Sequence, residues 1–264
     1  MVETAQFSLP GLAGQRVAIS AGAGGIGLAI ATELHRQGAK VTICDVDEAA
    51  LFKAAKALGD CPAVVADVSD AQAVDGFFDL IADRLGGLDA LINNAGIAGP
   101  TGGIDTLSVE DWKRCIDIGL TGQFLCARRA VPMLRQAGGG SIVCMSSAAG
   151  KHGYAFRTPY ASAKFGVIGL MESLAKELGP DNIRVNAILP GIVSGPRMDG
   201  VIRNRANQMK VSYAEMEAEY LSRISLRRMV TMEDVANTVA FLLSDAGQNL
   251  SGQRLAVDGN VETL

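Results

Sequence analysis

The chain has 264 residues, of which 48% are hydrophobic and 20% charged, a composition typical of a globular protein with a sizeable core. Its net charge of −4 argues against a nucleic-acid-binding function, which would call for a basic surface. Residues 1–10 lack the basic start and apolar run of a signal peptide, and no apolar stretch reaches the ~20 residues of a membrane-spanning helix. We therefore expect a cytoplasmic protein.

The cysteines form no C-x-x-C pair and mostly lie in apolar runs. They are Cys44, Cys61, Cys115, Cys126 and Cys144. We expect buried, reduced thiols rather than disulfides or metal ligands. Because the only histidines are His35 and His152, we expect no metal site built from histidine.

Short apolar runs alternate with helix-length segments along most of the chain. Strands are predicted at 16–20, 40–44, 63–66, 90–93, 141–145, 184–188 and 254–257. Helices are predicted at 26–37, 48–58, 71–85, 109–135 and 161–178. Continuous apolar strands are typical of parallel strands covered on both faces. The alternation therefore predicts one α/β domain with a doubly wound parallel sheet and helices on both faces.

Residues 195–228 interrupt this alternation with a long, polar, helical segment. Ser212 and Glu215 match a helix capping box. The apolar positions on one helical face after it are Tyr213, Met216, Tyr220 and Ile224. An insertion at this place could be a lid over a substrate pocket, or its apolar stripe could pack on the core, and the two interpretations are compatible.

A glycine-rich turn, SAGAGGIG, joins the first predicted strand to the first predicted helix. Glycine lets the backbone approach a pyrophosphate closely, and the free N–H groups at a helix start favour its negative charge. In this strand–turn–helix context the turn predicts a dinucleotide site. The expected cofactor contacts are Ser20, Gly22, Gly25, Ile26 and Gly27.

Asp45 ends the second predicted strand, 18 residues after Gly27. This is near the ~20 residues expected for an acid that binds the adenosine ribose. A carboxylate there would repel a 2′-phosphate, and the glycine turn holds no Lys or Arg. The pattern predicts NAD rather than NADP, with Asp45 and Val46 as contacts. The alternative is a solvated acid in a loop.

Tyr160 and Lys164 are four residues apart, which on a helix places both on one face. A free tyrosine is too weak an acid to exchange a proton at neutral pH, whereas a neighbouring ammonium favours its phenolate. Such a pair can act as acid and base on an alcohol or carbonyl oxygen. The spacing is common by chance, so this prediction depends on the nucleotide motif.

Taken together, the motifs resemble the short-chain dehydrogenase/reductase family over nearly the whole chain. They occur in that family's order: the glycine turn, Asp67-Val68, Asn93-Asn94-Ala95-Gly96, Ser146-Ser147, Tyr160-x-x-x-Lys164, Pro190-Gly191, and Ser251-Gly252-Gln253 before Val257-Asp258-Gly259. The resemblance implies a Rossmann-type fold, a nicotinamide cofactor and a homotetramer.

The resemblance also implies roles for individual residues. Tyr160 would be the catalytic acid/base, and Lys164 would bind the nicotinamide ribose and tune the tyrosine. Ser147, which lies 13 residues before Tyr160, would orient the substrate in preference to Ser146. Further cofactor contacts implied are Asp67 and Val68 at the adenine, Asn94, Ala95 and Gly96 along the cofactor, and Pro190, Gly191 and Val193 at the carboxamide.

Three positions depart from the family pattern. The turn begins Ser20-Ala21 where Thr-Gly is usual, and Gly195 stands near the usual Thr after Pro190-Gly191. Gly119 replaces the active-site Asn. We expect Gly119 to be tolerated, because its carbonyl can hold the water that the Asn would hold, and because glycine eases a local helix bend.

We predict an oxidoreductase that transfers a hydride between NAD(H) and a small secondary alcohol or ketone, such as a polyol, sugar, hydroxy acid or cyclic alcohol. The alternative, suggested by Gly119, is an NAD-binding module without turnover. The candidate pocket residues are His152, Tyr154, Phe156, Arg157, Arg197, Met198, Arg203 and Arg205. These arginines could bind a carboxylate or phosphate, or could be solvated surface charges, which is the favoured interpretation.

Overall fold

The computed structural model describes residues 9–261, so most of the 1–10 stretch considered above lies outside the described residues. The strands are β1 (Arg16–Ser20), β2 (Lys40–Asp45), β3 (Ala63–Val65), β4 (Ala90–Asn93), β5 (Gly140–Met145), β6 (Ile183–Pro190) and β7 (Arg254–Val257). They form one sheet in the order β3-β2-β1-β4-β5-β6-β7, and every pairing is parallel. The predicted doubly wound sheet is confirmed.

The helices are α1 (Gly25–Arg36), α2 (Glu48–Ala57), α3 (Ala71–Leu85), α4 (Val109–Ile116), α5 (Gly122–Gln136), α6 (Thr158–Leu178), α7 (Pro196–Met209), α8 (Tyr213–Ser222) and α9 (Met232–Leu243). Apolar side chains of α1, α2 and α9 are buried on one face of the sheet, and those of α3, α5 and α6 on the other. Within the described residues, no helix is both long and apolar enough to span a membrane.

Two helical segments differ from the sequence prediction. The helix predicted at 109–135 is divided by a π-helical turn, Asp117–Thr121, between α4 and α5. The prediction also omits α9, which begins with a capping box between Thr231 and Asp234. Its buried residues Val235, Val239 and Leu242 follow helical spacing, so the signal was present in the sequence.

The insertion forms α7 and α8, and the predicted capping box between Ser212 and Glu215 is present. Its apolar side chains form a small core of their own, in which Ile202, Ala206 and Met216 are buried. The predicted stripe is therefore only partly helical, because Ile224 lies beyond α8 and pairs with Val261.

Five free cysteines lie in the described chain. Cys44, Cys115, Cys126 and Cys144 are buried, and burial raises the pKa of Cys126 and Cys144 to about 12, which keeps them as thiols. Cys61 is only half-buried, so the expectation of a buried thiol is wrong at that position, which lies in the loop before β3.

The glycine turn lies where the winding of the sheet reverses, between the neighbouring strands β1 and β4. Such a reversal leaves a crevice at the carboxyl ends of the strands. Gly27 lets α1 approach the crevice closely, because a Cβ at this position would overlap the carbonyl oxygen of Ala21 and stand 2.6 Å from Nδ2 of Asn94.

We predict that Gly27→Ala lowers the free energy of unfolding by about 1–3 kcal/mol, the usual effect of overpacking. The control is Gly76→Ala in α3, where an added Cβ meets no atom within 4 Å. The free energy of unfolding of this control should rise by about 0.5–1 kcal/mol, because alanine favours a helix more than glycine does. Urea unfolding measures both. Equal effects of the two substitutions would contradict the close packing at Gly27.

Candidate active site

A cavity of about 500 Å³ opens at the carboxyl ends of the central strands. Its wall draws on segments that are far apart in the sequence. The predicted site residues that it brings together are Gly25, Ile26, Asp45, Asn94, Gly96, Ser147, Tyr160, Lys164, Pro190, Gly191 and Val193. The cavity is also lined by Ile97, Met145, Arg223 and Met232, which the sequence analysis does not single out.

One end of the cavity is formed by the start of α1. Gly24 is the N-cap of this helix and makes no side-chain capping hydrogen bond. Gly25 has a φ of +53°, and an added Cβ would meet nothing within 4 Å, so the backbone is open here. Ala21 also has a positive φ of +51°, which retains the tight turn without the usual glycine. An uncapped helix start beside an open backbone suits a phosphate group.

Ser20 and Asn94 fasten the turn to the end of β4. The Ser20 hydroxyl, 1% exposed, accepts hydrogen bonds from the N–H groups of Asn94 (3.0 Å) and Ala95 (3.1 Å). Nδ2 of Asn94 donates to the carbonyl oxygens of Ser20 (3.1 Å) and Ala21 (3.0 Å). Ser20 and Ala95 therefore lie behind the cavity wall and support it.

Gly22 also lies behind the wall, because a Cβ there would stand 2.7 Å from Cγ2 of Ile43. Asp45 lies at the end of β2, where its Oδ2 accepts the N–H of Ala23 (3.1 Å) and its Oδ1 that of Val46 (2.8 Å). In the described chain no cation pairs with this carboxylate. Val46 is 65% exposed beside it.

The Asp67-Val68 pair does not line the cavity. Oδ1 of Asp67 accepts hydrogen bonds from the N–H (2.9 Å) and the hydroxyl (2.7 Å) of Ser69. The Val68 side chain is buried in the core against Gly122. A contact of this pair with the adenine therefore stays a prediction, and the side chain of Val68 is directed elsewhere.

The two serines after β5 have different surroundings. The Ser146 hydroxyl is buried and donates to the carbonyl oxygen of Lys164 at 2.8 Å, so it fixes α6 against the strand. The Ser147 hydroxyl accepts a hydrogen bond from the N–H of Ala149 at 3.2 Å and lines the cavity. Of the two, Ser147 is the one whose hydroxyl is free to donate to a bound molecule.

Lys164 is held inside the protein on the same face of α6 as Tyr160. It is 5% exposed, and its Nζ donates to the carbonyl oxygen of Met145 at 2.8 Å and lies 5.8 Å from the centre of the Tyr160 ring. Gly96 makes room for it, since a Cβ there would stand 3.2 Å from Nζ. Burial lowers the pKa of Lys164 to about 8.

Arg157 brings a second positive charge to the tyrosine. Its guanidinium lies 4.9 Å from the centre of the Tyr160 ring and 5.2 Å from that of Tyr154. Its Nη2 donates to the carbonyl oxygen of Ala98 at 2.6 Å. The other candidate arginines differ, because Arg197 lines the cavity whereas Arg203 stacks on Tyr213 and, like Arg205, is not in the wall.

Comparison with known proteins identifies the fold family. A family model described as enoyl-(acyl carrier protein) reductase matches residues 21–261. The cis-4-hydroxycyclohexanecarboxylate dehydrogenase of Sinomonas cyclohexanicum is 39% identical over 250 residues, which cover 93% of this chain and 96% of that protein. Other relatives are described as short-chain dehydrogenase/reductases. The chain belongs to the short-chain dehydrogenase/reductase family.

Solved structures of this family are similar in fold. Levodione reductase superimposes with a TM-score of 0.87 at 30% identity, covering 93% of this chain and 96% of that one. L-Sorbose reductase from Gluconobacter frateurii, in a complex with NADPH and L-sorbose, superimposes with a TM-score of 0.91 at 25% identity, and the alignment covers 98% of this chain and 100% of that one. The chain is therefore an oxidoreductase of a family that uses nicotinamide cofactors and acts on CH–OH groups. The alternative of a binding module without turnover has no support.

Two departures from the family pattern have a backbone explanation. Gly195 has a φ of +141°, which side chains rarely adopt, and a Cβ there would stand 2.8 Å from Cε of Met232. Gly119 lies in the π-helical turn, so the helix does deviate at this position, as π-turns often do at functional sites. A Cβ at Gly119 would stand 3.2 Å from Cβ of Ala163, on the helix that carries Tyr160 and Lys164.

The buried Lys164 of this short-chain dehydrogenase should make its stability depend on pH. We compare the wild type with Lys164→Met, in which the Met145 carbonyl oxygen keeps its hydrogen bond from Gln123. The folded pKa of about 8 lies below the ordinary 10.5, so the ammonium destabilises the fold fully below about pH 8. Between these pH values the unfolded chain binds more protons than the folded one. As the pH rises through this range, the free energy of unfolding of the wild type should therefore increase by about 2–3 kcal/mol relative to that of the variant.

Urea unfolding of both proteins from about pH 7 to about pH 10 measures this difference. A difference that stays constant over this range would show that Lys164 titrates near its ordinary pKa.

Proposed function

We propose that the protein is an NAD-dependent dehydrogenase that interconverts a small alicyclic secondary alcohol and its ketone. The observation that carries the proposal is the convergence of Ser147, Tyr160 and Lys164 on the cavity that also receives the uncapped start of α1. The names of the relatives favour a ring-bearing substrate, since one oxidises a hydroxycyclohexanecarboxylate and another is called levodione reductase.

The residues present fit a dinucleotide. Its pyrophosphate would lie at Gly24, Gly25 and Ile26, which line the cavity at the start of α1, where a helix has free N–H groups. The adenosine ribose would lie at Asp45, and the nicotinamide end near Gly96 and the Pro190–Val193 segment. When bound, the cofactor supplies a hydride acceptor or donor for the carbinol carbon.

The protein side chains would handle the proton of the reaction. In the direction of oxidation, the phenolate of Tyr160 takes the hydroxyl proton while the carbinol carbon loses a hydride, so that a ketone forms. Lys164 would stabilise the phenolate by its charge and bind the cofactor ribose. Ser147 would donate a hydrogen bond to the reacting oxygen, which holds the oxygen against Tyr160.

The preference for NAD rests on the Asp45 carboxylate. It is anchored on the glycine turn, and no described cation offsets its charge. A 2′-phosphate at this place would therefore meet an uncompensated negative charge. The L-sorbose reductase complex contains NADPH, so coenzyme choice varies among similar structures and has to be measured for this chain.

We further propose that residues 195–228, inserted in the single catalytic domain, cover the substrate end of the cavity. Met198, Val201 and Tyr220 from α7 and α8 line the cavity. Both ends of the insertion are fastened, because the N–H of Ser194 donates to the carbonyl oxygen of Val230 at 2.9 Å and that of Val230 to Ile192 at 3.1 Å. These side chains would supply the apolar surface that holds a small ring.

We also propose the homotetramer implied by the family. Large apolar side chains are exposed on α4, α5 and α6, including Trp112, Phe124 and Phe165. Several exposed apolar side chains of this size favour a surface that a partner covers. The cytoplasmic location stays a prediction.

We predict that Asp45→Asn narrows the preference for NAD over NADP by about tenfold or more, because the substitution removes the charge and keeps an oxygen for the N–H of Ala23. Asp47→Asn is the control, since Asp47 caps α2 and does not line the cavity. The ratio of kcat/KM for the two coenzymes measures the effect. A wild type that uses NADP better than NAD would refute the role given to Asp45.

We predict that Tyr160→Phe keeps NADH binding and lowers kcat by about 10²–10⁴-fold, because it deletes the acid/base group and little else. NADH fluorescence reports binding, and NADH absorbance reports turnover. Glu177→Gln on the exposed side of α6 is a control for changes in this helix and should turn over normally. Near-normal kcat in Tyr160→Phe would show that another group moves the proton.

A further inference from the structure

The substrate end of the cavity has an excess of positive charge. Three arginines, Arg157, Arg197 and Arg223, line it together with Lys164. Among the described residues of the wall, Asp45 is the sole acid, and it lies at the glycine turn where the adenosine would bind. The end near Tyr160 therefore carries cations without matching carboxylates in its wall.

Arg157 is the cation closest to the reacting tyrosine. It is half-buried between the rings of Tyr154 and Tyr160, and Nη2 is committed to the carbonyl oxygen of Ala98. Its Nε is buried and has no acceptor among the described atoms. A buried donor of a charged group without an acceptor is costly, so the protein does not fully satisfy the Arg157 guanidinium.

Arg197, in the first turn of α7, faces the same cavity from the insertion. In the described part of the chain it has no ion pair or hydrogen-bonded side chain. Burial is the main cause of the lowered pKa of Lys164, and the positive charge of Arg197 lowers it further. The two cations therefore repel each other across the cavity. An anion bound beside Arg197 would offset this repulsion between Arg197 and Lys164.

Arg223 differs from these two. Its Nη2 donates to Oε1 of Glu219 at 2.8 Å, and its guanidinium stacks on Tyr220 at 5.7 Å from the ring centre. Its charge is therefore already balanced by the protein. The unbalanced pair is Arg157 and Arg197, which approach the cavity from the loop before α6 and from the insertion.

We propose that the substrate is an organic anion, a hydroxy acid whose carboxylate or sulfonate is bound by Arg157 and Arg197 while its carbinol group meets Tyr160. The inference rests on the proposed function, because it names the substrate class of the same site. Sequence alone favours solvated surface charges for these arginines, an interpretation that still applies to Arg203 and that the proposed anion site would replace for Arg157 and Arg197.

The first experiment compares each acid with an uncharged analogue of the same shape. The purified protein is assayed with NAD and 3- or 4-hydroxycyclohexanecarboxylate against the corresponding carboxamide, and with a hydroxyalkanesulfonate against its sulfonamide. Charged hydrogen bonds predict an advantage of about 10- to 100-fold in kcat/KM for an acid over its amide. The two pairs show which anion is taken. Equal use of acids and amides would overturn the proposal.

The second experiment removes each charge. Arg157→Gln and Arg197→Gln should each lower the acid-to-amide ratio of kcat/KM by about 10-fold or more, and a loss common to both substrates, such as one from the missing charge beside Tyr160, cancels in this ratio. The matched controls are Lys151→Gln in the loop before α6 and Arg203→Gln in α7, which lose the same charge outside the cavity wall. The controls should keep the preference for the acid. An acid-to-amide ratio that stays at the wild-type value in a variant would overturn the part given to that arginine, and a raised KM for NAD alone would assign it to the cofactor.

A binding measurement separates this inference from the proposed function. Cyclohexanecarboxylate and cyclohexanecarboxamide, which lack the hydroxyl group, are titrated calorimetrically into the NADH-loaded protein. Tighter binding of the carboxylate, lost in Arg157→Gln, supports the anion site even if no alcohol is oxidised. Oxidation of neutral alcohols together with equal binding of the two probes would uphold the dehydrogenase and refute the anion site.

Discussion

The crevice between β1 and β4 depends on a small set of hydrogen bonds made by Ser20 and Asn94. These neighbouring strands are paired as far as Ile19 and Ile92 and then send the chain to opposite sides of the sheet, so the segments that follow them diverge. The Ser20 hydroxyl binds the backbone after β4, and the Asn94 amide binds the backbone after β1. The glycine turn and the Asn-Ala-Gly segment are thereby held in one position relative to each other.

The position of Lys164 follows from this arrangement. Gly96, at the end of the segment that Asn94 fixes, leaves space for the lysine, and Ser146 holds the backbone of the same residue from β5. The ammonium is thus fixed in a place where burial costs it part of its charge stability. The fold gives up some stability here because it keeps a buried ammonium beside Tyr160. Desolvated titratable groups of this kind are common at functional sites.

The departures from the family motifs show that backbone geometry tolerates more variation than the motif letters suggest. Ala21 adopts the left-handed conformation that glycine would adopt more easily, at a cost of about 1–2 kcal/mol that the surrounding hydrogen bonds offset. At Gly195 the reverse holds, since its φ of +141° would strain the usual threonine, whose Cβ would also have to displace the end of the Met232 side chain. In the π-turn, Gly119 keeps a carbonyl in place of an amide side chain.

The sequence by itself determined the features that depend on near neighbours. Continuous apolar runs predicted the strands, and the four-residue spacing placed Tyr160 and Lys164 on one helical face, because strand burial and helical periodicity are local properties. Only the tertiary structure decided that Lys164 binds the Met145 carbonyl, that Ser20 supports the wall instead of lining it, and that Arg157 and Arg197 share a cavity. Each of these relations joins segments that come together only when the sheet is assembled, and no local pattern encodes the distance between them.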